Sequence, residues 1–551
     1  MGDYLNTTAF RDAYLNAYNS PYFVDKSQLL GELIHSVDTS ANCICITRPR
    51  RFGKSVAANM IASFFSKECD MEAVFGKLKI AANASYRDYM GKYDVIFISF
   101  NELPRKCTNY GQYIDRIESR LLRDLMEAYP RADINEEDAV WDALLAIYRV
   151  YDSKRFIFVF DEWDFIFHRN FVTERDKLSY IDFLSNLLKG KAYVALAYMT
   201  GILPIAKYSS GSGLNMFLEY NMASREKYSE YFGFTDEEVD DLYRRYLETE
   251  KEPRVSREGI RFWYDGYQMI SGKRLYNPRS VVGALSDNQL GSYWTSSGPY
   301  DEIFYYIRAD VDAVKDSLAL MISGIPVPAK MQEYAAVSMN LTTKNEIFSA
   351  MVVYGFLTYA EGYVHIPNKE LMDQFDHMLL KETSLGYVNR LANMSAWMLK
   401  ATLEADTDKM TEILEFAHNS ESPLLNYNHE TELTAVVNLI YLAARDMYRI
   451  EREDKAGIGY VDFIFYPETR HNADGIILEL KVGHTADDAL KQIRDKKYAM
   501  KFEGKLGEAP KYTGRVLGVG MAYDKETKVH SCKVEVLREA LGGNGGNRVY
   551  I

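Results

Sequence analysis

Three short stretches of this chain carry side chains whose types and spacing suit phosphate chemistry. The first is residues 44–57, ICITRPRRFGKSVA. An apolar, β-rich run enters an arginine-rich turn that closes on Gly53-Lys54-Ser55, and residue 56 onward reads as a helix. Strand, loop and helix with Gly-Lys-Ser at the junction can hold a nucleoside triphosphate. Loop amides and the helix N-terminus face the phosphates, the lysine ammonium neutralises them, and the serine hydroxyl ligates Mg²⁺. The usual pattern has another glycine where this chain has Arg48. On the tripeptide alone, a chance match is the standing alternative.

The second stretch, FIFVFDE at 156–162, is an apolar strand ending in two acids. Asp161 suits the Mg²⁺ shell and Glu162 suits polarising an attacking water. Acids at a strand end also cap the next helix, but the upstream phosphate loop favours the chemical reading. Thr200, ending the next strand, is positioned to sense a γ-phosphate, although threonine is commonplace there. Arg48, Arg50 and Arg51 contact phosphate, contact a neighbouring subunit, or form a solvated basic turn.

The third stretch pairs GYVDFIF at 459–465 with IILELKV at 476–482, separated by a turn. Strand alternation puts Glu479 and Lys481 on one face, where Asp462 from the neighbouring strand can meet them. Two carboxylates and the Leu480 carbonyl make an oxygen site suited to Mg²⁺. A lysine beside them can orient or deprotonate water and stabilise charge on a phosphodiester in transit. A plain hairpin with a surface Glu/Lys pair is the alternative. The helix expected over 486–498 places Gln492 near the strand end. Lys491, Arg494, Lys496, Lys497, Lys501 and Lys505 then form a local basic face, suited to a nucleic-acid backbone or simply solvated.

The elements that must position these groups alternate. Strands are expected at 44–47, 95–100, 156–160 and 193–199, and helices at 28–37, 110–129, 137–151 and 178–188. That alternation argues for a parallel sheet covered on both faces. After about residue 221 the pattern turns helical and aromatic. Thr235-Asp236-Glu237-Glu238 reads as a capping box. A strand-turn-strand piece is expected over 356–366 and a helix over 373–398. A final α/β segment starts near residue 430.

The chain has 551 residues, 47% of them hydrophobic and 26% charged, enough for several cores. A net charge of -13 excludes a wholly nucleic-acid-coated protein and confines any polyanion contact to a local patch. Five cysteines without a CxxC pair argue against structural zinc and a disulfide framework. No signal peptide is read at the start, and no apolar run is long enough for a membrane helix. A cytoplasmic location without membrane association is expected.

Taken together, the stretches resemble the bacterial AAA-ATPase-like proteins with a C-terminal PD-(D/E)XK nuclease-like domain. The resemblance is carried by ITRPRRFGKS (46–55), FVFDEWD (158–164), TGILPIAK (200–207), YFGFTDEEV (231–239), WYDGY (263–267), YNPRSV (276–281), IPNKE (366–370) and the ELK–QI–KKY series (479–498). It spans nearly the whole chain in the family's order. Arg48 in the glycine position is then a family trait. Trp163, and Tyr460-Val461 before Asp462, depart from the family pattern.

The resemblance implies an α/β protein: an N-terminal P-loop parallel sheet (1–220), a helical lid and connecting region (221–400) and a restriction-endonuclease-like domain (401–551). It implies that Arg51, Gly53, Lys54, Ser55, Asp161 and Thr200 serve ATP and Mg²⁺, with Glu162 for water. Asp462, Glu479, Leu480 and Lys481 would serve Mg²⁺ or Mn²⁺ and cleavage of DNA or RNA, with Gln492 and Tyr498 in support. It also implies an upstream acid at the start of the nuclease helix; Glu430 and Glu432 both qualify, and Glu432 is taken. Homo-oligomerisation, with a neighbour's arginine completing the ATP site, is a further implication. The rival reading is a non-hydrolysing nucleotide-binding regulatory protein with a degenerate nuclease domain.

Overall fold

The computed structural model describes residues 2–205, 213–222, 225–294, 300–331, 341, 343–418, 430–456, 459–468, 472–503 and 511–541. The chain forms two compact units, Met1–Ala309 with Pro328–Leu371, and Asp310–Val327 with Met372–Ile551.

The first unit is organised by a five-stranded sheet. Its strands are β1 (Cys43–Thr47), β2 (Asp94–Ser99), β3 (Phe156–Asp161), β4 (Val194–Gly201) and β5 (Leu218–Tyr220). The order is β2-β3-β4-β1-β5 and every pairing is parallel. Strands β1, β3 and β4 are buried at every position, as their unbroken apolar runs require in a sheet covered on both faces. Because all strands point the same way, the C-terminal ends of β1, β4 and β3 lie side by side. The register pairs Thr47 with Gly201 and Phe160 with Met199. This one topological fact brings residues 48–55, 161–164 and 201–203 to a common edge.

The expected helices over 110–129 and 137–151 are present as Tyr110–Ala128 and Val140–Val150. The helix expected over 178–188 begins earlier, at Glu174–Leu188, because Thr173 and Asp176 close a capping box. The Thr235/Glu238 capping box forms as read and opens α2 (Asp236–Thr249), α1 being the phosphate-loop helix Lys54–Phe65. Helix α2 packs with α3 (Arg257–Tyr264) and α4 (Pro278–Ser286) around Phe234, Val239, Leu242, Tyr246, Ile260, Tyr264, Tyr276 and Val281. Gly266 has φ 130°, and a Cβ there would lie 1.8 Å from the Pro367 carbonyl oxygen, so only glycine fits. The hairpin Thr358–Ala360 with Tyr363–His365 matches the expected strand-turn-strand piece.

The helix expected over 373–398 is instead two, Lys369–Lys381 and Tyr387–Glu404. A short 3₁₀ turn, Thr383–Leu385, and Gly386 at φ 63° part them. The apolar periodicity runs across the break: Glu382 leaves the helical region at ψ 94°, and Gly386 is the N-cap from which the second helix starts.

The second unit holds a mixed five-stranded sheet: β6 (Tyr448–Ala456), β7 (Gly459–Pro467), β8 (Gly475–Val482), β9 (Val516–Tyr523) and β10 (His530–Arg538). They lie in sequence order; β8 and β9 are parallel and the other pairings antiparallel. Helix α5 (Glu430–Ile440) precedes the sheet, and α6 (Ala486–Asp495) makes the parallel crossover from β8 to β9. Helix α6 ends three residues before the expected 498, because Lys497 takes φ 54°. That turn drops Tyr498 and Phe502 into a core with Val461, Ile464, Tyr466, Ile477, Leu490 and Ile493. No helix among the described residues is long and apolar enough to cross a membrane.

Candidate functional site

At the shared strand edge of the first unit, Gly53 is the N-cap of α1 with φ 86°. A Cβ there would meet nothing within 4 Å, so the backbone conformation, not space, demands glycine. Arg51 also has positive φ, 67°. These two reversals turn the chain so that α1 starts beneath the loop with its first N–H groups unpaired by helix geometry.

Lys54 is buried, and its Nζ donates to the Pro49 carbonyl at 2.8 Å. Burial pulls its pKa down to about 8, against the charges of Asp164, Asp161 and Glu162. Asp161 is buried at the end of β3, and burial pushes its carboxyl up to about 6. A hydrogen bond from the Ser55 side chain and the Lys54 charge oppose that rise, and the Glu162 charge adds to it. Asp161 Oδ1 also accepts the Glu162 N–H at 3.0 Å. Arg50, Arg51, Gly53, Lys54, Ser55 and Glu162 line one cavity of about 950 Å³. Its lining also includes the aromatic and aliphatic side chains Tyr14, Tyr22, Phe23, Val24 and Met60.

Two residues read as phosphate contacts are held elsewhere. Thr200 donates its hydroxyl to the Ile46 carbonyl at 2.8 Å, stitching β4 to β1. The cavity wall at that strand end is Gly201 and Ile202. Arg48 is buried; it donates to the carbonyls of Thr47 at 2.7 Å and Tyr220 at 3.0 Å. Its guanidinium also reaches Ser229 Oγ and lies over the Phe232 ring at 5.2 Å. Arg48 is therefore neither solvated nor in the cavity wall. It fastens the edge strand β5 beside β1, a task a glycine could not do.

Asp164, Arg169 and Arg279 also line the cavity and were not singled out as site residues. Asp164 stood inside the FVFDEWD stretch. Arg279 is in the first turn of α4, whose N-cap Asn277 accepts from the N–H groups of Arg279 and Ser280. Only the fold brings that helix start to the P-loop.

In the second unit the β7–β8 register pairs Phe463 with Leu478 and Ile464 with Ile477, so the next pair is Asp462 with Glu479. Asp462 Oδ2 accepts the Leu480 N–H at 2.7 Å. Glu479 is 2% exposed. Its Oε1 accepts from Lys481 Nζ at 2.9 Å and from Gln492 Nε2. Gln492 Nε2 also donates to the Tyr498 hydroxyl at 3.3 Å. Glu479 Oε2 is buried and has no hydrogen-bond partner among the described residues. Burial first, then the Asp462 charge, pushes the Glu479 carboxyl up to about 7, against Lys481.

A divalent metal fits this arrangement. A buried orphan carboxylate oxygen, a second carboxylate and a backbone carbonyl are all hard donors. No group of three His, Cys, Asp or Glu among the described residues could hold a metal ion. Mg²⁺ characteristically uses one or two carboxylates and keeps waters or substrate phosphates for its other positions.

The side chains of Glu430 and Glu432 lie outside the described residues, although α5 itself begins at Glu430. Lys505 lies outside them too. Of the basic face, Lys491, Lys496 and Lys497 are exposed, whereas Arg494 pairs with Glu535 on β10.

Fold and site together define a parallel-sheet domain with a P-loop-like Gly-Lys-Ser turn and a mixed-sheet domain that carries an Asp…Glu-x-Lys constellation. Residues 13–210 match the AAA-ATPase-like family, described as predicted AAA-ATPases, and residues 430–529 match the PD-(D/E)XK nuclease superfamily. The chain thus carries an AAA-ATPase-like domain and a C-terminal PD-(D/E)XK nuclease-superfamily domain, as the motifs implied. An uncharacterised protein in the vnfD 5′ region of Azotobacter chroococcum mcd 1 is 27% identical over 282 residues. The match takes in 50% of this chain and 51% of that protein, so the chain spans about half the length of the curated relative it matches. Among solved structures, a Walker-type ATPase of Pyrococcus abyssi has a TM-score of 0.37 at 10% identity over 64% of this chain and 94% of its own. The ORC2 protein of Aeropyrum pernix, in ADPNP-ADP complexes, has a TM-score of 0.30 at 10% identity over 64% and 92%.

Proposed function

We propose that the protein binds and hydrolyses ATP at the P-loop and cleaves DNA or RNA phosphodiesters in a Mg²⁺-dependent reaction at Glu479. The observation that carries this reading is the surround of Glu479. One buried carboxylate from β8 is gripped by a lysine and a glutamine and faced by a second acid, while its other oxygen is left for a ligand.

In the first unit the α1 N-terminus and Lys54 hold the phosphates, with Arg51 beside them in the cavity wall. Ser55 and Asp161 would hold Mg²⁺, and Glu162 orients the attacking water. In the second unit Asp462, Glu479 and the Leu480 carbonyl would hold Mg²⁺, or Mn²⁺, which takes similar donors. The bound ion would supply charge neutralisation at the scissile phosphate and a more acidic water. Lys481 lies beside that position and can orient the water or take its proton. Gln492, supported by Tyr498, fixes the Glu479 rotamer. The exposed lysines of α6 and the turn after it provide backbone contacts.

The test is cleavage of a panel of labelled DNA and RNA with Mg²⁺ or Mn²⁺, with and without ATP, beside Glu479→Ala. Metal-dependent cleavage that disappears in Glu479→Ala is expected. Cleavage that survives in Glu479→Ala overturns the assignment, and nucleotide binding without phosphate release or cleavage favours the regulatory alternative.

A further inference from the structure

Asp164 has no part in the roles just assigned, yet it is among the most constrained side chains in the first unit. It is 4% exposed, and its Oδ2 accepts two backbone N–H groups, from Ile202 at 3.1 Å and Leu203 at 2.8 Å. Those amides begin the turn after β4. The neighbouring residue repeats the connection: the Trp163 N–H donates to the Thr200 carbonyl at 3.2 Å. The Trp163 carbonyl in turn accepts the Tyr180 hydroxyl at 2.8 Å. Gly201 closes the contact. A Cβ there would lie 2.4 Å from Asp164 Oδ1 and 2.5 Å from Trp163 Cδ1.

The position of this tether is what gives it consequence. Strand β4 lies between β1 and β3 in the sheet, so its C-terminal end separates the P-loop from the acids of β3. Gly201 and Ile202 form cavity wall beside Glu162 and Asp164. Charge-assisted hydrogen bonds to backbone N–H groups are short and strong, and two on one buried oxygen leave the turn little freedom.

We infer that Asp164 is a positioning residue for phosphate transfer: it binds the Gly201–Leu203 turn to the end of β3, so the wall facing the terminal phosphate and the water-orienting Glu162 keep a fixed geometry. The inference rests on the ATP-hydrolysis reading and deepens it. Without the tether the cavity still binds nucleotide through Lys54 and α1, but the γ-phosphate and its water are misplaced. Asp164 also faces Lys54 as the leading favourable charge. Asparagine separates the two roles, because a carboxamide oxygen has two lone pairs and accepts the same two N–H groups without the charge.

The experiment compares Asp164→Ala, Asp164→Asn and Gly201→Ala with wild type, measuring kcat for ATP, the directly measured Kd for ATP, and amide exchange at Ile202 and Leu203. Asp164→Ala should lower kcat about a hundredfold, the order for a misplacement of about 1 Å, with little change in Kd. The two amides should exchange at least about tenfold faster as the turn opens locally. Asp164→Asn should recover most of both losses. Gly201→Ala, which displaces the same contact from the other side, should reproduce the kcat loss and replaces Asp164→Ala if that variant does not fold. A kcat near wild type in Asp164→Ala, an Asn variant as impaired as Ala, or a Kd that worsens in parallel with kcat each overturns the inference. A wild type with protected amides and no turnover overturns the hydrolysis reading and the catalytic role together. A wild type that turns over ATP while Asp164→Ala does so equally well overturns the inference alone.

Discussion

Burial reaches the lysine and an acid of the first site and the central glutamate of the second. In the first unit it acts on both, pulling Lys54 down to about 8 and pushing Asp161 up to about 6. In the second unit burial pushes the Glu479 carboxyl up to about 7. The cause is placement. Lys54 emerges at a helix start under a loop folded over it, whereas Glu479 lies mid-strand with α6 across it and Lys481 two residues on, nearer solvent. A phosphate site can hold its cation in a dry cleft because the ligand brings the counter-charge. A metal site must hold its anion dry because the ligand is the cation.

The comparison breaks first if the two chemistries are not separable. Glu479→Ala should reduce cleavage by about a thousandfold while ATP turnover stays within about twofold of wild type. A parallel loss of ATP turnover would overturn the separation of the two chemistries. Lys54→Ala should reduce ATP turnover by about a hundredfold or more, read as phosphate release, with metal-dependent cleavage in the absence of ATP retained.

Gln492→Ala should sharpen the second half. Losing one of the two donors to Glu479 Oε1 should weaken Mg²⁺ binding by about 10- to 100-fold, measured as the Mg²⁺ concentration for half-maximal cleavage. The pH dependence carries the same contrast. Cleavage at limiting Mg²⁺ should rise tenfold per pH unit below about 7, as Glu479 loses its proton, and level off above. For stability the sign is the reverse. A folded pKa raised above the unfolded value of 4.5 means that folding takes up a proton. Glu479's contribution is thus full below about 4.5 and is lost as pH rises through about 7. Mg²⁺ should therefore raise Tm more at pH 8 than at pH 6. A Tm gain independent of pH would detach the metal from Glu479.

The smallest effects lie away from both sites. Thr235→Ala and Thr485→Ala each remove a capping-box hydroxyl, from α2 and α6 respectively. Each should cost about 1 kcal/mol in the unfolding of its own unit, with ATP turnover and cleavage unaltered at 25 °C.

Much of the fold was legible because its signals are local. Unbroken apolar runs marked β1, β3 and β4, the β-rich IILELKV marked β8, and Thr235/Glu238 marked a helix start by side chains that bond their own backbone. Strands β6, β9 and β10 were less visible. The YRIEREDKA of β6 is charged along its length, and VLGVGMAY carries two glycines that count against a strand. One of these, Gly520, is required by packing: a Cβ there would lie 2.3 Å from the Ala486 carbonyl oxygen at the start of α6.

The candidate sites divide along the same line. The residue types alone determined that Gly53-Lys54-Ser55 with Asp161-Glu162, and Asp462 with Glu479 and Lys481, were suited to phosphate and metal, because that chemistry depends on charge, donor hardness and short spacing. The tertiary structure decided which nearby polar groups stand in the site and which hold the scaffold. Thr200 and Arg48 bond backbone carbonyls of adjacent strands, while Asp164 and Arg279, one buried near a strand end and one at a distant helix start, reach the cavity wall. A side chain's role depends on which strand ends are neighbours, and the parallel order β3-β4-β1 is set by packing between segments far apart in the chain.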